Sequence, residues 1–512
     1  MKKILFYVLI IAGVFGFTTS EIRTTDNPDD KYPGVSSIKS ENLIKTVEYL
    51  ASKELAGRLS GSDGYFKAAD WIAGEFRKLG LKPMGNETYF QTLSIEYNDI
   101  TGPCRFYLTN NGEETRTFKL GDEFVCRGFT GSGKFTAPVV FCGYGFSPAK
   151  SSNDSSDNAN TDNEYDDYSG IDVKGKIVML FKQTPSWKAE NRDWNQSLRY
   201  RAVVASQKGA LGIIFVSKPN DANPQKPIGS VMDGEGEMLE NFPMIHLDLA
   251  GADEMLQTCG KTLKELQTSI DTERKPMPIE TGVTAGMDIT AKYTKNKQTV
   301  NVAGMLEGSD PKMKNEYIVI GAHLDHVGSQ AGEIYFPGAN DNASGSASVL
   351  EMARTFVNSG VKPKRSVLFI LFSNEESGLQ GATYYSEHPL VPLEKTVMMM
   401  NNDCIGHGDS LQIGNGKSVP VLWQITRSID SLYTKGMILR TWNGGGADAT
   451  PIHLKGVPCL YFVSYFSYTH LHLMSDTPET LTPLTFEKAC KLGYMTACEV
   501  AGGNYQRETV LK

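Results

Sequence analysis

Residues 366–378 read SVLFILFSNEESG. The run 367–372 has the length and the β-branched or aromatic content of a strand buried on both faces, as in a parallel sheet flanked by helices. It ends in two adjacent glutamates, Glu375 and Glu376. Carboxylates at the end of a buried strand need partners. In open α/β sheets the crevice beyond the carboxyl ends of the strands is where ligands bind. Acidic residues ahead of a helix also complement its dipole, so the pair alone decides nothing. Carboxylates and histidines at other strand ends do.

Outward from this stretch the pattern is regular. EYIVIGAH (316–323), SVLFILF (366–372) and TVMMMN (396–401) read as strands, and SGSASVLEMARTFVNSG (344–360) and GLQGATYYSEH (378–388) as helices between them. Strands separated by helices of this length make right-handed crossovers, which predicts an α/β domain with a mainly parallel sheet flanked by helices. The first strand runs into GAHLDHVG, with His323, Asp325 and His326; the third runs into Asp403; Asp341 sits in the turn PGANDNASG; and THLHLMSDT, after the apolar CLYFVS, brings His470, His472 and Asp476. Four strand ends finishing in His, Asp or Glu predict one crevice. Mixed imidazole and carboxylate ligands suit zinc, whereas magnesium or calcium would take oxygen alone. Five ligands with one shared carboxylate suffice for two ions about 3.5–4 Å apart, a clamp for hydrolysis.

The remainder of the chain sets the context. MKKILFYVLIIAGVFGFTTS places two lysines before an apolar run over 4–17, which predicts a secretory signal peptide over residues 1–20, too short for a comfortable membrane span. With it removed the formal net charge moves from −8 to −10, an acidic balance that argues against nucleic acid as a partner. No CxxC or zinc-finger spacing occurs among the eight cysteines, which read mostly as core thiols; Cys490 and Cys498 lie about 12 Å apart along one predicted helix and cannot bridge. Residues 21–39 are polar and read as a flexible leader. Two helical patterns over 40–83 begin the catalytic domain, taken as residues 40–99 and 296–512. Between them, 100–295 is strand-rich and reads as an inserted domain with its core at about 120–290. The acidic stretch 151–168 reads as a solvated loop.

The ordered motifs GAHLDHVG, PGANDNASG, SNEESGLQG, NND and HLHLMSDT resemble those of the zinc aminopeptidases of peptidase family M28, and YDDYSGIDVKGKIVMLF with KGALGIIFVS resembles a protease-associated (PA) domain. The resemblance implies two Zn²⁺ ions, one held by His323, Asp341 and Asp403 and the other by Asp341, Glu376 and His472, with Asp341 shared. It implies that Asp325 accepts the second ring N–H of His323, and that Glu375 is the general base, taking a proton from water and passing it to the leaving amine. His472 is preferred over His470 because its spacing to Asp476 and Thr477 matches the family pattern, and His326 is left among the surface, loop or core histidines.

One departure from the family stands out. Where many members carry Ser-Asp-His, this chain has Ala447, Asp448 and Ala449, a segment that faces substrate in relatives. The family also holds single-zinc glutaminyl cyclases and carboxypeptidases. Intact ligands favour the two-metal hydrolase, and the lack of Lys or Arg over 443–452 favours substrates with a free N-terminus. The insert contributes no matched ligand, so it is expected to act as a lid or docking surface whose removal leaves metal binding in place.

Overall fold

The computed structural model describes residues 27–85, 88–148, 165–188, 197–360, 362–465 and 468–511; the predicted signal peptide and most of the acidic stretch lie outside them. The main sheet has eight strands: β1 (Lys82–Pro83), β2 (Phe90–Asp99), β3 (Lys292–Leu306), β4 (Tyr317–His323), β5 (Ser366–Phe372), β6 (Thr396–Asn402), β7 (Ser410–Gly414) and β8 (Cys459–Tyr465). They run in the order β1-β3-β5-β4-β6-β8-β7, with β2 paired to β3. Pairings β4–β5, β4–β6 and β6–β8 are parallel, and the edges are antiparallel.

Strand β5 shows why the centre is parallel and covered twice. Every residue from Ser366 to Phe372 is buried. Val367, Phe369 and Leu371 point to one face, where helices Ser40–Leu50, Asp63–Lys78, Gly345–Asn358 and Pro483–Ala501 close the larger core. Leu368, Ile370 and Phe372 point to the other, packed with Ala382 and Tyr385 of helix Gln380–Glu387 and with Ala449 and Ile452 of helix Ala449–Leu454. At about 1.5–3 kcal/mol per buried large apolar side chain, such a strand is held from both sides. Helix Asp63–Lys78 illustrates the local rules: Ser62 caps it by accepting from the Tyr65 N–H at 3.2 Å, Ala68, Ile72 and Phe76 are buried at helical spacing, and Gly80 at φ +70° follows its end.

Residues 27–39 do not form a flexible leader. Helix Pro28–Lys31 opens a segment in which Tyr32, Val35 and Ile38 are buried against the core, and the Tyr32 hydroxyl donates to Glu499 Oε1 at 2.6 Å. The apolar spacing of three residues outweighs the polar composition that suggested disorder.

A second eight-stranded sheet spans Cys104–Asn110 to Ile279–Ile289, with a parallel centre and antiparallel edges. It reaches further back than about 120, because strands Cys104–Asn110 and Glu113–Thr117 belong to it. Its YDDY segment shapes a turn, since Asp167 Oδ2 accepts from the N–H groups of Tyr144 and Phe146 at 3.1 and 3.0 Å. This draws the chain so close that a Cβ at Gly143 would lie 2.4 Å from Asp167 Oδ1. The sheet hangs on the main one by the β2–β3 ribbon, where Asp99 pairs with Lys292. It also docks sideways. Gln330 exchanges two hydrogen bonds with the main chain of Cys126, at 2.9 and 2.8 Å, and Val125 and Val231 pack on Val327 and Phe336.

All eight cysteines are free thiols. Among the described residues no helix is long and apolar enough to cross a membrane.

Candidate active site

His323 is the last residue of β4, Asp403 follows β6, and Glu375 and Glu376 lie in the turn after β5, so the sheet itself delivers four of the side chains. Asp341 comes from the turn Ala339–Ser344 that opens helix Gly345–Asn358, and His472 from the loop beyond β8. Left-handed backbone at Asn374, Cys404 and His472, all non-glycine, marks three of these turns. Such conformations cost about 1–3 kcal/mol each and are retained where the surroundings hold them.

The side chains converge in two sets. In the first, His323 Nε2 lies 3.3 Å from Asp341 Oδ1, 3.5 Å from Asp403 Oδ1 and 3.9 Å from Glu375 Oε2. In the second, His472 Nε2 lies 3.2 Å from Asp341 Oδ2 and 2.9 Å from Glu376 Oε2. Asp341 thus offers one oxygen to each set. His470 stays outside, bonded to Ser475 Oγ at 2.9 Å. Asp403 Oδ1 is buried without a hydrogen-bond partner among the described residues, although Oδ2 accepts from the Tyr461 hydroxyl at 2.9 Å. An orphaned carboxylate oxygen facing an imidazole nitrogen suits a cation between them, and the donor set of two imidazoles and three carboxylates suits zinc.

The electrostatics fit that chemistry. Burial works against a charged His323, but Glu375, Asp341 and Asp403 outweigh it and raise the imidazole pKa well above 6.5; Glu376 and Asp341 do the same for His472. Burial, reinforced by Asp448, Glu376 and Asp403 against the pull of His323, raises Glu375 well above the usual carboxylate range. For Glu376 burial is overcome by His472 and His326, which bring it down to about 2. The glutamates are therefore unlike in environment: beside the first set one is held well above the usual carboxylate range, and within the second the other is a committed anion. Cys404 is also near, but burial and the carboxylates of Asp341 and Asp403 push its thiol up, so it stays protonated.

Two expectations need correcting. Asp325 does not take the second ring N–H of His323 on its carboxylate. His323 Nδ1 lies 3.2 Å from the Asp325 main-chain oxygen and 3.8 Å from Oδ1. The carboxylate instead accepts from the N–H groups of Glu375 and Glu376, at 3.1 and 3.4 Å, clamping the glutamate turn, and burial lifts its pKa to about 6. Asp448, in the segment expected to face substrate, is not open to the crevice either. It is fully buried, and burial together with the surrounding carboxylates raises its pKa well above the ordinary value.

The sequence also left roles unread. Asp476 accepts from Asn340 N–H at 2.8 Å and Asp341 N–H at 3.1 Å, holding the shared aspartate as Asp325 holds the glutamates. Arg58, fully buried, donates to the carbonyls of Leu324, Pro337 and Gly338 at 2.9, 2.8 and 3.0 Å and to that of Leu50, tying the loops behind the site together. His326 lies in the second set, with Nδ1 2.8 Å from Glu376 Oε1. Only its place beside Asp325, one residue past a strand-end pair, could have signalled this.

Residues 301–495, which carry every one of these ligand-type side chains, match the model of peptidase family M28. This region is similar to peptidase family M28. A glutamate carboxypeptidase 2 homolog of Caenorhabditis briggsae is 24% identical over 530 residues, covering 87% of this chain and 65% of its own. An aminopeptidase of Pseudomonas aeruginosa is 25% identical over 393 residues, covering 74% and 60%. The chain thus spans less than two thirds of the length of these relatives. The fold is shared with the structure of BSAP, a zinc aminopeptidase from Bacillus subtilis, at a TM-score of 0.60 and 20% identity over 93% of this chain and 98% of that one.

Proposed function

We propose that this chain is a two-zinc aminopeptidase, exported on its basic and apolar leader, that removes N-terminal residues from peptides. The observation that carries the reading is the pair of side-chain sets sharing Asp341 through different oxygens. His323, Asp341 and Asp403 would hold one ion, and Asp341, Glu376 and His472 the other. Bound zinc would lower the pKa of water and polarise the scissile carbonyl. Glu375, set 3.9 Å from His323 Nε2 and outside the second set, takes the proton from the attacking water and returns it to the leaving amine. Asp325 keeps Glu375 and Glu376 aimed at different sets by holding both of their N–H groups. The strand-rich insert is read as PA-like, a wall beside the site.

The direction of attack rests on charge. The crevice collects carboxylates, which stabilise a substrate ammonium. Arg58, a buried cation behind it, directs four of its five N–H donors at main-chain carbonyls and exposes no surface to a substrate carboxylate. The carboxypeptidase name of the Caenorhabditis relative supplies the rival reading. Comparing a peptide with a free N-terminus, its acetylated form and its C-terminally amidated form decides between them. Acetylation is expected to abolish cleavage and amidation to spare it; strict dependence on a free carboxylate would overturn the proposal.

A further inference from the structure

His326 is fully buried, and its ring is fixed from three sides without help from any ligand. Its main-chain N–H donates to the Arg58 carbonyl at 3.2 Å. The imidazole lies against the backbone at Gly338, where a Cβ would come within 2.6 Å of both Cγ and Cδ2. It meets the His472 ring edge-on, with centroids 5.3 Å apart and planes at 82°. Among the described residues the ring makes one hydrogen bond, from Nδ1 to Glu376 Oε1 at 2.8 Å, and Nε2 has no partner. An ionised carboxylate only accepts, so Nδ1 carries the proton.

The consequence falls on Glu376. With Oε1 engaged by His326, the oxygen that faces His472 Nε2, at 2.9 Å, is Oε2. Nδ1 itself stands 3.9 Å from Asp341 Oδ2, and at 2.8 Å from Glu376 Oε1 it sits at hydrogen-bond distance to a ligand. We propose that His326 is the positioning residue of the second metal set: by holding Oε1 it commits Oε2 of Glu376 to the ion and fixes that carboxylate as a one-oxygen ligand. This rests on the two-metal reading and adds to it a residue outside the five ligands. Groups that orient a metal ligand from behind are worth about 10–100-fold in metal affinity.

The test uses the full chain, stripped of metal and titrated with Zn²⁺ against a chromophoric chelator, so that two binding steps are read separately from activity. His326→Leu keeps the packing volume and removes the donor; the second step is expected to weaken about 10–100-fold while the first is unchanged. An asparagine amide places an N–H near the position of Nδ1, and a glutamine amide near that of Nε2. His326→Asn should therefore return the second step close to the wild-type value, and His326→Gln should not. This contrast decides the matter even if the leucine variant does not fold. Equal second-step affinity in wild type, Asn and Gln variants would overturn the inference while leaving two ions in place. A wild-type chain that takes up a single ion would overturn the two-metal reading and this inference with it.

Discussion

The two metal sets offer chemically similar atoms on unlike supports. His323 and Asp403 stand at the ends of neighbouring parallel strands in the middle of the main sheet, and the His323 side chain is 1% exposed. His472 stands seven residues past β8, in left-handed backbone, with its side chain 21% exposed. Its main-chain oxygen accepts from Gly229 of the second sheet's domain at 2.8 Å. The first set is thus part of the rigid ladder, and the second is assembled from loops, a buried imidazole and a hydrogen bond between domains. If the two proposed ions bind, tighter retention in the first set and easier exchange in the second are expected from that contrast.

The largest effect should come from the residue the sets have in common. Asp341→Ala removes one oxygen from each, and loss of both ions with loss of hydrolysis is expected; metal analysis after dialysis showing one ion retained at full affinity would mean that the sets are independent. Glu375→Gln should lower kcat by at least about 10²-fold with both ions kept, since only the proton carrier is changed. Glu376→Gln should weaken the second ion instead, and the same metal content in both variants would end the division between the two glutamates.

A smaller effect is expected from removing the second sheet's domain. Asp99 and Lys292 are paired across the ribbon, so a two-residue Asn-Gly turn can replace residues 100–291 without breaking the ladder. Sequence alone suggests that metal binding survives intact. Without the hydrogen bond from Gly229, the first ion should stay and the second should weaken by up to about 10–100-fold, read by stepwise titration. Two unaltered steps would show that the domain gives the loop no support.

The mildest test is pH. In the metal-free protein His323 and His472 titrate well above 6.5, so an incoming ion must displace protons. Apparent zinc affinity should keep rising with pH past 6.5 rather than level off there. Their contribution to folding runs the other way: it is complete below 6.5 and is lost as pH rises through the raised values. The melting temperature of metal-free protein should therefore fall over that range more than that of zinc-loaded protein, and parallel curves would contradict the assignment.

The strand ends were legible in the sequence because buried apolar runs such as 367–372 break sharply at charged residues, and the break locates the crevice without any knowledge of pairing. Asp341 and His472, though in loops, were legible through motif spacing. What stayed hidden depends on partners distant in the chain. Arg58 serves carbonyls at 324, 337 and 338; the Asp325 carboxylate was claimed by N–H groups 50 residues away; His326 acquires a partner only when β4 and β5 lie side by side. The polar segment 27–39 misled because composition averages over the three apolar residues that dock it.

The β2–β3 ribbon bears on how such a molecule can arise. A domain that enters at the tip of a hairpin, between Asp99 and Lys292, leaves the host's ladder in register on both sides, so a single insertion in a gene can add it without first unmaking a working enzyme. Once Gly229 has come to hold the loop of His472, the guest is no longer free to leave. Its outer surface could then drift, whereas a change along that seam would reach the loop of His472 and chemistry the seam never touches.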